Sequence, residues 1–196
     1  MSKGESLPPA TRTRQFEAIF DACYPRVLGY AIRRTEDRAA AEDAVSETFL
    51  VAWRRLESVP PDPLPWLLGT ARKVLANQRR AARRRAPDGP LVPLAAVADP
   101  APGASVPDLV ADREAFVGAF AELSPADREL LTLVSWDGLA PREGAAVLGI
   151  SAAVFSLRLH RARRRLMKGL ASRGHSLAKR EPEGRAESRE GCKDAR

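Results

Sequence analysis

The sequence has few of the residues that build metal, redox or catalytic sites. Its 196 residues include two cysteines and two histidines, and no His and Cys pairs stand at metal-ligand spacing. It also lacks a glycine-rich phosphate loop and a nucleophile elbow. An enzyme is therefore the least favoured class, and we expect no catalytic residue, metal or cofactor. His160 lies among arginines, where a DNA-facing or solvated role is the better interpretation.

The two cysteines do not form the pattern of a disulfide scaffold. Cys23 falls on the apolar face of a predicted helix, where a buried thiol is expected. Cys192 falls in a polar tail. This usage is typical of a cytoplasmic protein.

Long apolar runs are missing too. No run reaches the roughly 18 residues that a membrane-spanning helix needs. The N-terminal stretch MSKGESLPPATRTR has no apolar core and does not resemble a secretory signal. We therefore expect a cytoplasmic protein without membrane insertion.

Positive charge is abundant and unevenly placed. The net charge is +7, which favours an anionic partner. Residues 70–86 hold seven basic side chains and residues 156–168 hold six Lys or Arg, and neither segment has an acid. Residues 36–57 instead hold six acids against three arginines. Two basic segments and one acidic segment indicate at least two binding faces.

Apolar periodicity predicts an all-α protein made of two small helical domains, because every periodic segment has the helical period. A flexible Pro-rich linker, within APDGPLVPLAAVADPAPGASVPD, separates them. The predicted division is a disordered tail at 1–12, a first domain at 13–86, a linker at 87–110, a second domain at 111–171 and a disordered tail at 172–196.

Several helix boundaries can be predicted from local chemistry. Pro25 interrupts the first helix, and Pro65 suits the first turn of the third. Ser124 is the predicted N-cap of a helix with Pro125 at its first position. Gly138 suits its exit.

The segment PREGAAVLGISAAVFSLRL has the spacing of a helix-turn-helix. Small Ala145 lets two helices approach, and Gly149, four residues later, permits a tight turn. Ile150 and Phe155 fill the space between the helices, and Ser151 can cap the second helix. In such a motif the second helix enters the DNA major groove.

That second helix separates into two faces at 100° per residue. One carries apolar side chains and the next carries cations: Phe155, Leu159, Ala162, Leu166 and Leu170, against Arg158, Arg161, Arg165 and Lys168. A solvated face, a membrane-surface helix and a nucleic-acid contact are the alternatives. A solvated face normally intersperses Glu at i,i+4, and a membrane helix normally carries Trp. Nucleic acid is favoured because the neighbouring arginines and lysine of this helix repel one another, and an anionic partner would relieve that repulsion.

The segment PWLLGTARKVLANQRRAARRR repeats the pattern on another helix. Asn77 and Gln78 lie among its cations as potential hydrogen-bonding partners of bases. Trp66 can be a core residue or a stacking surface for an unpaired base, and the residues leave both open.

The acidic segment AAEDAVSETFLVAWRRL places Asp43 and Glu47 on one helix face and Phe49 and Trp53 on another. Acids near a helix N-terminus are favoured by its dipole, so an ordinary amphipathic helix explains them. A docking face for a basic protein surface explains them equally well.

The order of these segments resembles a bacterial RNA polymerase sigma factor of the extracytoplasmic-function (ECF) group, which has only sigma domains 2 and 4. AEDAVSETFLVAWRRL resembles its polymerase-clamp helix and PWLLGTARKVLANQRRAARRR its −10-element helix. LSPADRELLTLVSWDGLAPREGAAVLGISAAVFSLRLHRARRRL resembles its −35-binding domain. Together they cover roughly residues 14–170.

The resemblance implies a non-enzymatic specificity subunit that recruits core polymerase and opens promoter DNA. Its partners would be core RNA polymerase, through the β′ clamp and β flap, and promoter DNA; an anti-sigma factor is left open. Implied clamp contacts are Asp43, Glu47, Phe49 and Trp53. Implied −10 contacts are Lys73, Asn77, Arg80 and Arg84. Implied −35 contacts are Ala152, Ala153, Ser156, Leu157, Arg158 and Arg161, with Arg165 and Lys168 on phosphates.

The sequence departs from the family pattern at a few positions. Ser46 stands where Gln is common, which bears on the clamp contact. Gly144 replaces a large aliphatic residue, at a cost of about 1 kcal/mol relative to Ala. Ser156 and Leu157 stand where Lys and Ser are common, which predicts an unusual −35 preference. The alternative to a sigma factor is a helix-turn-helix regulator with a sensing or dimerising N-terminal half.

Overall fold

The computed structural model describes residues 8–35, 37–85 and 106–173. Within these ranges every regular element is helical and no strand occurs, which confirms the all-α prediction. A 3-10 turn, Leu56–Ser58, follows the second helix. The α-helices are α1 (Pro9–Ile32), α2 (Arg38–Arg54), α3 (Pro63–Arg85), α4 (Val106–Ala121), α5 (Pro125–Ser135), α6 (Pro141–Leu148) and α7 (Ala152–Ala171).

Helices α1 to α3 form an N-terminal unit. Helix α1 begins at Pro9 rather than at residue 13, so residues 9–12 are helical and not part of a disordered tail. Pro9 suits a first helical position, and Arg12 donates a hydrogen bond of 2.7 Å to the carbonyl of Trp53. Helix α1 runs through Pro25 to Ile32. The predicted interruption therefore does not end the helix.

Helices α2 and α3 follow from capping and periodicity. Asp37 caps α2 by accepting hydrogen bonds from the amides of Ala39 and Ala40. Helix α3 begins at Pro63, two residues before the predicted start. Its buried side chains are spaced as one helical face: Leu64, Leu67, Leu68, Ala71, Val74 and Leu75. Trp66 is half-buried against the same core, which supports the core interpretation of this residue.

Helices α4 to α7 form a C-terminal unit. The Ser124 hydroxyl accepts from the amide of Asp127 at 3.1 Å, as predicted for an N-cap, and Pro125 opens α5. Gly138 lies in the loop that follows α5 and has a φ of +65°, a conformation that favours glycine. Helix α4 begins at Val106, inside the segment predicted as linker. The remainder of that segment, and the tails at 1–7 and 174–196, lie outside the described residues.

The two units pack on each other and share one apolar core. Helix α3 lies against α6 at Gly69, where a Cβ atom would stand 3.6 Å from the carbonyl oxygen of Val147. That distance is an ordinary van der Waals contact, so the two helices pack closely here and would still accommodate an alanine at position 69. The sequence predicted two domains and a linker, but it did not predict that the domains touch.

In the described part of the chain, no single helix is long and apolar enough to cross a membrane. Helices α6 and α7 reach the required length and hydropathy only when they are taken together, and the two helices are bent by 102° relative to each other.

Candidate functional site

Helices α6 and α7 have the geometry of a helix-turn-helix. They are bent by 102°, within the roughly 90–120° of that motif. Gly149 ends α6 with φ of +68°, and the amide of Ile150 donates to the carbonyl of Ala145 at 3.1 Å. Ser151 then caps α7 by accepting from the amide of Val154 at 3.3 Å. The predicted turn, its glycine and its cap are confirmed.

Gly144 has a packing role that the sequence did not reveal. Phe155 is fully buried, and a Cβ atom at Gly144 would lie 2.5 Å from its ring carbon Cζ. Contacts that short do not occur in real structures, so the ring occupies the space that a side chain at 144 would take. Phe155 therefore needs a glycine at position 144. Helix propensity alone had predicted only that this glycine lowers the stability of α6.

Helix α7 presents the two predicted faces. Phe155, Leu159, Ala162 and Leu170 are buried, and Leu166 is half-buried. The cations Arg158, Arg161 and Lys168 are exposed, and none forms an ion pair within the described residues. The concentrated positive face is thus available to an anionic partner.

At its N-terminus, α7 exposes Ala153, Ser156 and Leu157, and Leu157 is 51% exposed. A shallow pocket of about 480 Å³ adjoins this end, lined by Ala140, Pro141, Arg142, Ala152, Ala153 and Ser156. Arg142 was not among the sequence-predicted contacts. Its position on α6, beside the start of the recognition helix, suits a phosphate contact. Its place in the first turn of α6 could have identified it from the sequence.

Arg165 differs from its neighbours on the same face. Its guanidinium lies 2.7 Å from the carboxylate of Asp127, which is buried at the start of α5. The side chain of Arg165 is nevertheless 61% exposed. It therefore ties α7 to α5 while part of the guanidinium still faces solvent.

The basic stripe of α3 is also on the surface. Lys73, Asn77, Arg80 and Arg84 are exposed and follow one another at i, i+4, i+7 and i+11. Arg80 donates to the side-chain oxygen of Asn77 at 2.7 Å. This hydrogen bond orients both groups on the face predicted to meet DNA.

The cations of α3 and α7 meet in one cavity. Its volume is about 950 Å³. The α3 side contributes Arg72, Lys73, Arg79 and Arg80, and the α7 side contributes Arg158, Arg161 and Arg165. The faces predicted for two separate promoter elements are thus directed into the same space.

Ion pairs between the units close one side of this cavity. We call Tyr30, Arg33, Arg34, Glu129 and Asp137 the inter-unit ion cluster. Arg34 lies 3.0 Å from Glu129 and 3.2 Å from Asp137, and Arg33 pairs with the other oxygen of Asp137. The Tyr30 hydroxyl donates to Glu129 at 3.1 Å. The sequence analysis did not identify any of these residues.

The centre of the cluster is buried, and its charges are matched. The side chains of Arg34 and Asp137 are 6% and 2% exposed. Burial, and then the neighbouring Glu129 carboxylate, raise the pKa of Tyr30 far above its ordinary value. Burial lowers the pKa of Arg34, but Tyr30, Glu129 and Asp137 more than offset this and hold it above its ordinary value. Tyr30 therefore stays neutral and Arg34 stays charged.

The acidic segment forms an exposed face on α2. Asp43 and Glu47 are both exposed. Leu50 lies on the same face, three residues after Glu47, and is 53% exposed. Together with Trp53, which is 36% exposed, it adds apolar surface beside the two acids. Sequence reasoning missed Leu50 because this residue lies off the apolar stripe of the helix, and the pattern does not show that it is exposed.

The two aromatic residues predicted for the same contact differ in position. Phe49 is 4% exposed and packs against Phe20 with ring centroids 4.8 Å apart. It therefore belongs to the core, and the structure corrects its assignment as a surface contact. Trp53 is 36% exposed, with Phe16 at 5.2 Å and the Arg12 guanidinium 5.1 Å from its ring. It remains on the surface beside the acidic face.

Known proteins match both units. Residues 19–85 match the family sigma-70 region 2, and residues 113–166 match sigma-70 region 4. The ECF RNA polymerase sigma factor SigL of Mycobacterium tuberculosis is 32% identical over 84% of this chain and 94% of its own. The probable RNA polymerase sigma factor RfaY of Xanthomonas campestris is 34% identical over 82% of this chain, but the match spans 42% of that protein.

Solved structures agree with this relationship. The sigma factor RpoE of Bartonella quintana, crystallised with the anti-sigma factor NepR, is 25% identical, with a TM-score of 0.60 over 81% of this chain and 98% of that one. CnrH, solved with the cytosolic domain of CnrY, shares the fold with a TM-score of 0.54 over 82% of this chain and 90% of that one, at 22% identity. The chain belongs to the ECF group of the sigma-70 family of RNA polymerase sigma factors.

Proposed function

We propose that this protein binds core RNA polymerase and directs it to promoters by recognising −10 and −35 elements and promoting DNA opening. The observation that carries the proposal is the pairing of two exposed basic helices, α3 and the recognition helix α7, with an exposed acidic face on α2. Such a subunit acts by binding, so the proposal assigns no catalytic residue or cofactor. It acts where polymerase acts, in the cytoplasm.

The C-terminal unit recognises the −35 element in this proposal. The N-terminal residues of α7, Ala152, Ala153, Ser156 and Leu157, meet base edges in the major groove. Small and apolar side chains read groove shape and thymine methyl groups. Arg158, Arg161 and Lys168 hold phosphates, and they are joined by Arg165 and by Arg142 of α6. Phosphate contacts set the register, while base contacts set the preferred sequence.

The N-terminal unit recognises the −10 element. Lys73, Arg80 and Arg84 neutralise phosphates along the exposed stripe of α3. Asn77 has the donor and acceptor groups to bind a base edge, and Arg80 already holds its oxygen at 2.7 Å. Exchange of that hydrogen bond for one to a base costs little, because the arginine can pair with a phosphate instead.

The exposed face of α2 docks on the β′ clamp of the polymerase. Asp43 and Glu47 supply charge, and Leu50 and Trp53 supply apolar contact. The C-terminal unit meets the β flap. Two of the similar structures contain RpoE with NepR and CnrH with CnrY, so an anti-sigma protein is a further proposed partner.

The test of the clamp contact is Glu47→Lys, with Glu17→Lys on α1 as the matched control. Both acids are exposed and neither forms an ion pair within the described residues. We expect Glu47→Lys to weaken binding to core polymerase by about tenfold or more, equivalent to about 1.4 kcal/mol, because it places a like charge against a basic surface. Glu17→Lys should leave binding unchanged. Equal affinities of the two variants, measured by fluorescence anisotropy, would contradict the assignment of α2.

A further inference from the structure

The N-terminal end of α7, which the proposed function places against base edges, presents carbon surface rather than hydrogen-bonding groups. Residues 152–157, AAVFSL, contain no Arg, Lys, Asn, Gln, Asp or Glu. Among these six side chains, Ser156 is the one that carries a polar group. The hydroxyl of Ser151 is already engaged, because it accepts from the amide of Val154 at 3.3 Å and caps the helix. The first cation along the helix is Arg158.

Leu157 is the most prominent apolar side chain of this segment. It is 51% exposed, whereas Val154 is 39% exposed. At 100° per residue it points about 160° away from both Phe155 and Leu159, and those two residues are buried. Leu157 therefore stands on the side of α7 opposite the core. A single exposed leucine is ordinary on a protein surface, so its place on the recognition helix is what carries the argument.

Leu157 belongs to a row of side chains whose chemistry changes along α7. Ala153, Leu157 and Arg161 follow one another at i, i+4 and i+8, and all three are exposed. Residues at this spacing lie above one another on one helix face. Ala152 and Ala153 also line the shallow pocket of about 480 Å³ at this end, so their small side chains let a groove approach the helix closely. The row thus offers apolar surface to the bases and, further along, a cation to the phosphates.

The groups that a base pair displays in the major groove decide what such a surface can read. Guanine is read by Arg or Lys, adenine by Asn or Gln, and cytosine by Glu or Asp. All six residue types are absent from residues 152–157. The distinctive group that remains is the C5 methyl group of thymine, which is read by apolar contact. Leu157 is the largest exposed apolar side chain that the segment offers for it.

We propose that Leu157 is a specificity-determining residue of the −35 contact and that it reads the C5 methyl group of one pyrimidine in the element. The proposal rests on the function proposed above and names the chemical group that is read and the side chain that reads it. Thymine carries this methyl group, and 5-methylcytosine carries it at the same ring position. The protein therefore prefers thymine over uracil, and 5-methylcytosine over cytosine, at that position. Methylation of a cytosine facing Leu157 strengthens binding to the promoter.

The test first identifies the element. Random-sequence duplexes are selected on the complex of the full-length protein with core polymerase, and in parallel on core polymerase alone. We expect an upstream element that is enriched only with the protein and contains at least one A·T pair. The absence of any enrichment beyond core polymerase would contradict the proposed function, and the present inference would fall with it. An enriched element made only of G·C pairs would overturn the present inference alone.

The second step measures the affinity of the same complex for probes that differ at one base. Each thymine of the element is replaced in turn by uracil, which removes only the methyl group. It is also replaced by cytosine and by 5-methylcytosine, both opposite guanine. A buried methyl group changes affinity about fourfold, so we expect about that preference for the methylated base within each pair at one position. Equal affinities within either pair at every position would overturn the proposal.

The third step assigns the methyl contact to a side chain. Leu157→Ala should abolish both preferences, and Leu157→Met, which keeps an apolar side chain, should retain most of them. The matched control is Met167→Ala, since Met167 is 46% exposed further along the same helix and its loss should leave both preferences intact. Circular dichroism and binding to core polymerase should be unchanged in every variant. Preferences that survive Leu157→Ala but disappear in Val154→Ala would overturn the assignment of Leu157.

Discussion

The two basic helices carry similar charge in different surroundings. On α3, Arg79 donates to the Arg34 carbonyl and Arg80 to the Asn77 side chain, so both guanidiniums are held in place by neutral oxygens and keep their full charge. On α7, Arg158 and Arg161 have no described ion pair, although Arg165 is tied to Asp127. The comparison teaches that a basic run in sequence does not measure free positive charge. Among the described residues, α7 has one cation paired with a carboxylate, whereas the engaged cations of α3 donate to neutral oxygens.

The two helices also differ in how they are anchored. Helix α3 is held by a long row of leucine, alanine and valine side chains against α1 and α2. Helix α7 depends more on one ring, because Phe155 is fully buried and fills the space above Gly144. The orientation of the recognition helix therefore depends on fewer residues than that of α3.

The largest expected effect comes from removing that anchor. Phe155→Ala should lower the free energy of unfolding by about 3–5 kcal/mol, because it leaves a cavity between α6 and α7. The neighbouring Val154 is 39% exposed, and Val154→Ala should change stability by less than about 1 kcal/mol. Denaturant unfolding followed by circular dichroism measures both. Similar losses in the two variants would mean that α7 is not held by this ring.

Gly144→Ala should have the next largest effect. Helix propensity alone favours alanine by about 1 kcal/mol, but the new methyl group would collide with the Phe155 ring. Overpacking of this kind costs about 1–3 kcal/mol, so we expect a net loss of unfolding free energy. In a Phe155→Ala background the same change should be neutral or stabilising. A stabilising effect in the wild-type background would contradict the packing described for Gly144.

The difference in how individual cations are held should appear in salt dependence. If about six phosphates are neutralised, the logarithm of affinity should fall against the logarithm of salt with a slope of roughly −5. Arg161→Ala should reduce the magnitude of this slope by about 1. Arg79→Ala should reduce it less, because Arg79 is engaged with the Arg34 carbonyl. Anisotropy titrations over a salt series measure the slope. A larger change in slope for Arg79→Ala than for Arg161→Ala would contradict the smaller DNA contribution expected of Arg79.

The smallest effect is expected at Cys23, in the core against which α3 packs. Burial raises the pKa of this thiol above its ordinary value, and Arg26 lowers it to a smaller extent. The reactive thiolate is therefore scarce. A Cys192→Ser variant should react slowly with a thiol reagent until denaturant is added. Rapid labelling in native buffer would show that the core of the N-terminal unit is open.

Local signals in the sequence predicted much of this structure. Ser124, Gly149 and Ser151 act within a few residues of themselves, so their capping and turn roles could be predicted. The two faces of α7 follow from helical period alone. Phe49 was misplaced because its clamp contact was taken from the family resemblance, whereas Phe49 is buried in this structure. Leu50 was missed because exposure of an apolar residue is not visible in a pattern.

The contact between the units could not be predicted. Arg34 and Asp137 are 103 residues apart in the chain, and nothing in a single sequence pairs one arginine among many with one acid. The packing role of Gly144 could not be predicted either, because it depends on where the Phe155 ring lies. Long-range pairing and close packing are set by the tertiary structure, which charge and periodicity do not specify.

Run-off transcription with core polymerase from the same bacterium tests the central claim most directly. Transcripts from genomic DNA fragments are mapped with and without the added protein. The account predicts discrete start sites that require the protein and share two upstream elements. Transcription that is the same with and without the protein would contradict its assignment as a promoter-specificity subunit.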